Sequence, residues 1–125
     1  MSDLNWFEIP VTDMDRAQKF YSILLDADIP VMDMREAMGS LLGMLPNRDG
    51  VGGALVENRQ HGYVPSQEGT LVYLAFGEVD LEVPLSKVEA AGGQIVLPKT
   101  TLGEIGFTAW FIDTEGNKVG LHSMV

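Results

Sequence analysis

The sequence contains no cysteine among its 125 residues. Disulfides, thiolate metal sites and cysteine nucleophiles are therefore excluded. Basic residues are also scarce, 8 Lys and Arg against 18 Asp and Glu, which leaves a formal net charge of −10. Nucleic acids and anionic membranes both select a basic footprint, so neither is an expected partner. The acidity reads as a solvated surface and has little bearing on small ligands. No apolar run approaches bilayer length, and the opening Met1-Ser2-Asp3 has neither a basic segment nor an apolar one after it. A cytoplasmic location is the resulting expectation.

What is present fits one folded domain spanning residues 1–125. Hydrophobic residues make up 46% and charged residues 21%, and the length is sufficient for one core but not two. Leu4 to Val11 alternates as a strand, with Phe7, Ile9 and Val11 on one face and Trp6, Glu8 and Pro10 on the other. A helix follows, with Thr12 and Asp15 in the form of a capping box and Met14, Ala17, Phe20, Tyr21 and Leu24 at helical spacing. After Pro30, short strands are predicted over 31–36, 41–45 and 51–57, the last two joined tightly by Asn47-Arg48-Asp49-Gly50. Residues 58–69 lack periodicity and read as a linker, with His61 solvated within it.

The pattern then repeats. A strand over 71–77 precedes a helix over 82–91 that stops at Gly92-Gly93, and strands follow near 94–98, 107–113 and 118–123. A shift of 67 positions lays Phe7 on Leu74, Asp13 on Asp80 and Asn47 on Thr114. Such self-similarity marks two copies of one βαβββ unit. The fold class is α+β, with module one at 4–57, a linker at 58–69 and module two at 70–123. Each copy has one helix to cover one face of its sheet, so two bare faces remain to form an open cup.

Particular residues connect this repeat to a family. Trp6-Phe7-Glu8-Ile9-Pro10-Val11-Thr12-Asp13-Met14-Asp15-Arg16-Ala17 with Phe20-Tyr21 resembles the first module of the vicinal oxygen chelate superfamily. Asp113-Thr114-Glu115-Gly116-Asn117-Lys118-Val119-Gly120-Leu121-His122 is similar to its closing hairpin, and Ala90-Ala91-Gly92-Gly93 to the end of its second helix. The superfamily includes glyoxalase I, extradiol dioxygenases, fosfomycin-resistance enzymes and bleomycin-resistance binding proteins. The resemblance implies the paired-module glyoxalase-like cup, and a homodimer that pairs modules across its interface.

It also implies where a divalent metal is held, on the first and last strand of each module. Carried over residue by residue, those positions fall on Trp6, Gly53, Tyr73 and Gly120. Glycine has no side chain, tryptophan cannot ligate, and neutral tyrosine is a poor ligand for these metals. No cofactor and no usual metal site are therefore expected. Two residues along each strand lie Glu8, Leu55, Ala75 and His122, where Glu8, His122 and waters leave open a weakly held ion.

The expected function is binding of a small organic molecule, as in glyoxalase and bleomycin-resistance proteins, without the family's metal. Trp6 and Tyr73 would stack on the ligand, with Glu8, Leu55 and His122 beside it. Two alternatives stand. One is a lyase or isomerase acting on a carbonyl or thiol adduct, with Glu8 as general base and His122 as a second proton carrier. The other is a non-catalytic dimeric scaffold whose cup is filled by its own side chains. On the seventh strand either Trp110 with Thr108 and Ile112, or Phe111 with Phe107 and Ala109, lines the cup, and the sequence leaves that choice open.

Overall fold

The computed structural model describes residues 4–48 and 50–125, with Arg48 described by its backbone alone. Strand β1 (Trp6–Pro10) leads into helix α1 (Met14–Leu25), and β2 (Val31–Met34), a one-turn helix α2 (Arg35–Met38), β3 (Ser40–Arg48) and β4 (Val51–Glu57) follow. The second half supplies β5 (Val72–Gly77), α3 (Glu82–Val88), β6 (Gln94–Thr101), β7 (Phe107–Ile112) and β8 (Lys118–Ser123). Each half forms its own mixed sheet, ordered β1-β4-β3-β2 and β5-β8-β7-β6. A helix separates the first strand from the rest of its unit, so that strand returns parallel to the last one, while the hairpins pair antiparallel. The sheets do not close on one another.

Helix α1 forms for the reason its spacing suggests: Met14, Ala17, Phe20, Tyr21 and Leu24 are its buried residues. Burying each of the larger side chains contributes about 1.5–3 kcal/mol. The cap differs from the expected capping box. Asp13 is the N-cap, and its carboxylate accepts from the Arg16 amide. Thr12 instead gives both its amide and its hydroxyl to Glu115, from the turn before β8. That distant carboxylate satisfies helix-end donors that a local cap would otherwise take.

One core serves both sheets. Ile9 and Leu55 of the first and Ala109, Phe111 and Leu121 of the second are buried against α1 and α3. The rings of Phe20 and Phe111 lie 5.6 Å apart, so α1 packs on the second sheet as well as its own. This leaves the opposite faces of both sheets uncovered by helices. Asp49, in the predicted tight turn, lies outside the described residues.

Candidate ligand-binding faces

The strand pairing fixes which side chains share a face. Trp6 pairs with Gly52, Glu8 with Ala54 and Ile9 with Leu55. In the second sheet Tyr73 pairs with Gly120 and Ala75 with His122. The uniform shift of 67 therefore fails by one residue: 46 positions separate Trp6 from Gly52, but 47 separate Tyr73 from Gly120. A slip of one residue turns every side chain to the other face. Gly53 consequently sits opposite Phe7 on the helix side, and the glycine matching Gly120 is Gly52.

The same slip corrects Leu55. It pairs with Ile9, is fully buried in the core and faces the helices. It cannot line a cup on the opposite face, where Ala54 stands beside Glu8 instead.

Both faces carry an aromatic ring laid across a glycine. A Cβ on Gly52 would come within 3.2 Å of the Trp6 ring, and a Cβ on Gly120 would fall on the Tyr73 ring. Trp6 and Tyr73 nevertheless remain 42% and 48% exposed, so their outer surfaces are available to a ligand. Around Trp6 the polar partner is Glu8. One of its oxygens accepts from the Trp6 indole at 3.2 Å and the other from the Tyr63 hydroxyl at 2.6 Å. Tyr63 belongs to the 58–69 segment, which lacked any periodicity that could have announced it. Burial and the Glu8 carboxylate both raise the Tyr63 pKa, with the hydrogen bond to Glu8 the larger cause.

Around Tyr73 the structure resolves the open question about strand seven. The Trp110 indole donates to the Tyr73 hydroxyl at 2.9 Å, so Thr108 and Trp110 share the bare face, whereas Phe111 is buried in the core. Tyr73, Ala75, Leu102, Thr108, Trp110 and His122 line a concavity of about 500 Å³. His122 Nε2 lies 2.6 Å from the Ile105 carbonyl. A carbonyl only accepts, so Nε2 carries the proton. Gly106 makes this contact possible: it has φ +102°, and a Cβ there would collide with the Ser123 carbonyl.

Glu8 and His122 are not brought together. Glu8 lines a separate cleft with Pro10, Val64, Asn117 and Lys118, which shares no residue with the His122 concavity. His61 sits at the end of a 3-10 turn against Asn58, away from both faces.

The sequence profile of the Glyoxalase/Bleomycin resistance protein/Dioxygenase superfamily matches residues 3–121. The chain belongs to this superfamily. Three solved structures illustrate the shared fold. A glyoxylase/bleomycin resistance protein/dioxygenase domain from Frankia sp. aligns with a TM-score of 0.74 at 17% identity, covering 100% of this chain and 93% of that one. TnmS3, an antibiotic binding protein from Streptomyces sp., aligns with a TM-score of 0.64 at 20% identity, covering 100% and 98%. A variant of the fosfomycin resistance protein FosX from Listeria monocytogenes, complexed with Mn(II) and a dihydroxypropylphosphonic acid, aligns at 0.68 with 15% identity, covering 98% and 92%. No curated protein sequence matches the chain.

Some members of the superfamily hold a divalent metal, and the residues here do not fit one. The first-strand positions carry rings; the Tyr73 ring takes the space that a side chain on Gly120 would need, while a Cβ on Gly52 would crowd Asn47 Nδ2 at 3.1 Å and the Trp6 ring at 3.2 Å. Among the described residues no three His, Asp or Glu side chains converge as a metal ligand set. A divalent ion generally draws more protein ligands than one carboxylate or one imidazole. No helix among the described residues is long and apolar enough to cross a membrane.

Proposed function

We propose that this protein binds a small organic molecule on its uncovered aromatic faces, without the divalent metal found elsewhere in the superfamily. The observation that carries this reading is a half-exposed ring on each uncovered face, Trp6 beside Gly52 and Tyr73 across Gly120. The two rings put flat aromatic surface where a metal-binding member needs donor atoms. Such surfaces favour planar or cationic ligands. Glu8 and His122 supply polar contacts in two separate places rather than one acid–base pair.

Glu8 acts in this reading as a fixed acceptor. Both of its oxygens already hold a donor, from Trp6 and Tyr63, which supports recognition over proton abstraction. Against the scaffold alternative, the 500 Å³ concavity beside Tyr73 is open rather than filled by the chain's own side chains. The working unit we infer is a cytoplasmic homodimer in which each chain contributes two modules, 4–57 and 70–123.

A thermal-shift screen of metabolites and antibiotics on metal-free protein tests the proposal. A ligand at 100 times its Kd stabilises the native state by about 2.7 kcal/mol, which is a clear rise in Tm. At least one compound is expected to raise Tm in the presence of a chelator. A screen in which hits appear only after a divalent metal is added would sink the metal-free reading.

A further inference from the structure

The cleft beside Glu8 holds two opposite charges that do not meet. Glu8 lines it from β1 and Lys118 from β8, and Glu68 is the third charged residue in its wall. Among the described residues neither Glu8 nor Lys118 belongs to an ion pair. Aromatic side chains hold each of them instead. The Trp6 indole and the Tyr63 hydroxyl donate to separate Glu8 oxygens, and the Lys118 ammonium rests 4.1 Å from the centre of the Trp110 ring. Both charges keep capacity to spare. A carboxylate has about four acceptor sites, of which two are taken here, and an ammonium seated on a ring face still has N–H groups to donate.

The linker braces this cleft. The Ser66 carbonyl accepts from the Lys118 amide at 3.2 Å, and the Ser66 amide donates to the Asn117 side chain at 3.1 Å. Asn117, only 5% exposed, also donates to the Pro10 carbonyl of β1, so one side chain ties β1, β8 and the linker together. Ile9, Val64, Val72 and Val119 supply an aliphatic part of the wall, and the space is about 180 Å³. A half-buried charge with no counter-charge gives up hydration without return. A simple anion would meet Glu8 and Glu68, and a simple cation would leave Lys118 unpaired. A ligand that carries both charges satisfies both ends.

Resting on the reading of Glu8 as a fixed acceptor, we propose that this cleft binds a small aliphatic amino acid as its zwitterion. The ligand's ammonium donates to Glu8, its carboxylate accepts from Lys118, and its side chain lies against Val64 and Val72. The cleft shares no residue with the concavity beside Tyr73 and needs no metal.

Titration calorimetry with L-leucine, L-leucine amide and N-acetyl-L-leucine tests the assignment, since the three are zwitterion, cation and anion on one side chain. A buffer of about pH 6 keeps the amine of the amide protonated. The wild-type protein is expected to bind leucine about ten-fold more tightly than either analogue, as one hydrogen bond between charged groups supplies. Lys118→Met keeps the apolar stem and removes the charge. It should bring leucine down to the level of leucine amide and leave amide binding unchanged. Glu8→Gln should weaken leucine and leucine amide alike. Either analogue binding as tightly as leucine to the wild-type protein would overturn the proposal, whatever the variants do. So would a Lys118→Met protein with an undiminished preference for leucine. If none of the three binds but other compounds raise Tm in the broader screen, the amino-acid assignment fails and the ligand-binding reading survives. If nothing binds in either experiment, both fail.

Discussion

At the scale of single residues, Gly120 shows how a missing side chain specifies a site. Any Cβ there meets the Tyr73 ring, so the ring lies flat across β8 only because the position is glycine. Gly120→Ala is expected to push Tyr73 aside, break its hydrogen bond with Trp110 and destabilise the fold by about 1–3 kcal/mol. Chemical denaturation measures the loss, and adding Tyr73→Ala to Gly120→Ala should recover part of it. A fully stable single variant would show that the ring has somewhere else to go. Residue identity at these positions is legible in the sequence, since strand alternation puts Trp6 with Glu8 on one face and the repeat sets Tyr73 and His122 beside them. Their partners were less so. The one-residue difference between the modules reverses the side on which Gly53 and Leu55 stand, and nothing in local composition signals it. Tyr63 was invisible for a related reason: its contact with Glu8 spans 55 positions and comes from an irregular segment.

At the scale of elements, the junction between the modules rests on helix α1 and the turn before β8. Glu115 accepts from the Thr12 and Asp13 amides, the Thr12 hydroxyl and the Arg16 guanidinium, the last at 2.6 Å. Burial alone would raise its pKa, but Arg16 and the two amides outweigh burial and hold the carboxyl at about 2. The unfolded value is near 4.5. The lowered folded value means a stabilising contribution that is complete above pH 4.5 and lost as pH falls toward 2. Allowing for screening around the half-exposed Arg16, that contribution is on the order of 2 kcal/mol. Glu115→Gln should therefore lower stability at pH 7 and flatten the stability curve between pH 5 and 2, as read by denaturation at several pH values. A variant with the parent's full acid sensitivity would remove Glu115 from this role.

Beside it, the Tyr21 hydroxyl donates at 2.7 Å to Asp113, whose carboxyl is pushed up by burial. Asn117 bridges the same carboxylate and the Pro10 carbonyl. Tyr21→Phe is expected to cost about 1–3 kcal/mol by leaving a buried carboxylate short of a donor. Equilibrium unfolding would register it, and an unchanged midpoint would contradict the account. The periodicity of α1 announced Tyr21 as a core residue, while its bond to a residue 92 positions away was beyond reach of any local pattern.

At the scale of the whole molecule, two βαβββ units share a core on one side and leave two aromatic faces on the other. The superfamily supplies this frame, and in the function proposed above the chain departs from its metal-binding members at the first-strand positions. Its repeat made the frame legible, because helix starts and hairpin turns recur with little change. Function was less legible because the informative features are spatial, such as a ring laid across Gly120 and a carboxylate held between two aromatic donors. The central claim is that the fold works here without its metal. Elemental analysis of protein purified without chelator, then dialysed against Mn(II), Ni(II) and Zn(II), tests it most directly. The account predicts far less than one retained ion per chain and no change on Glu8→Gln or His122→Ala. One tightly held ion per chain, lost in either variant, would contradict it.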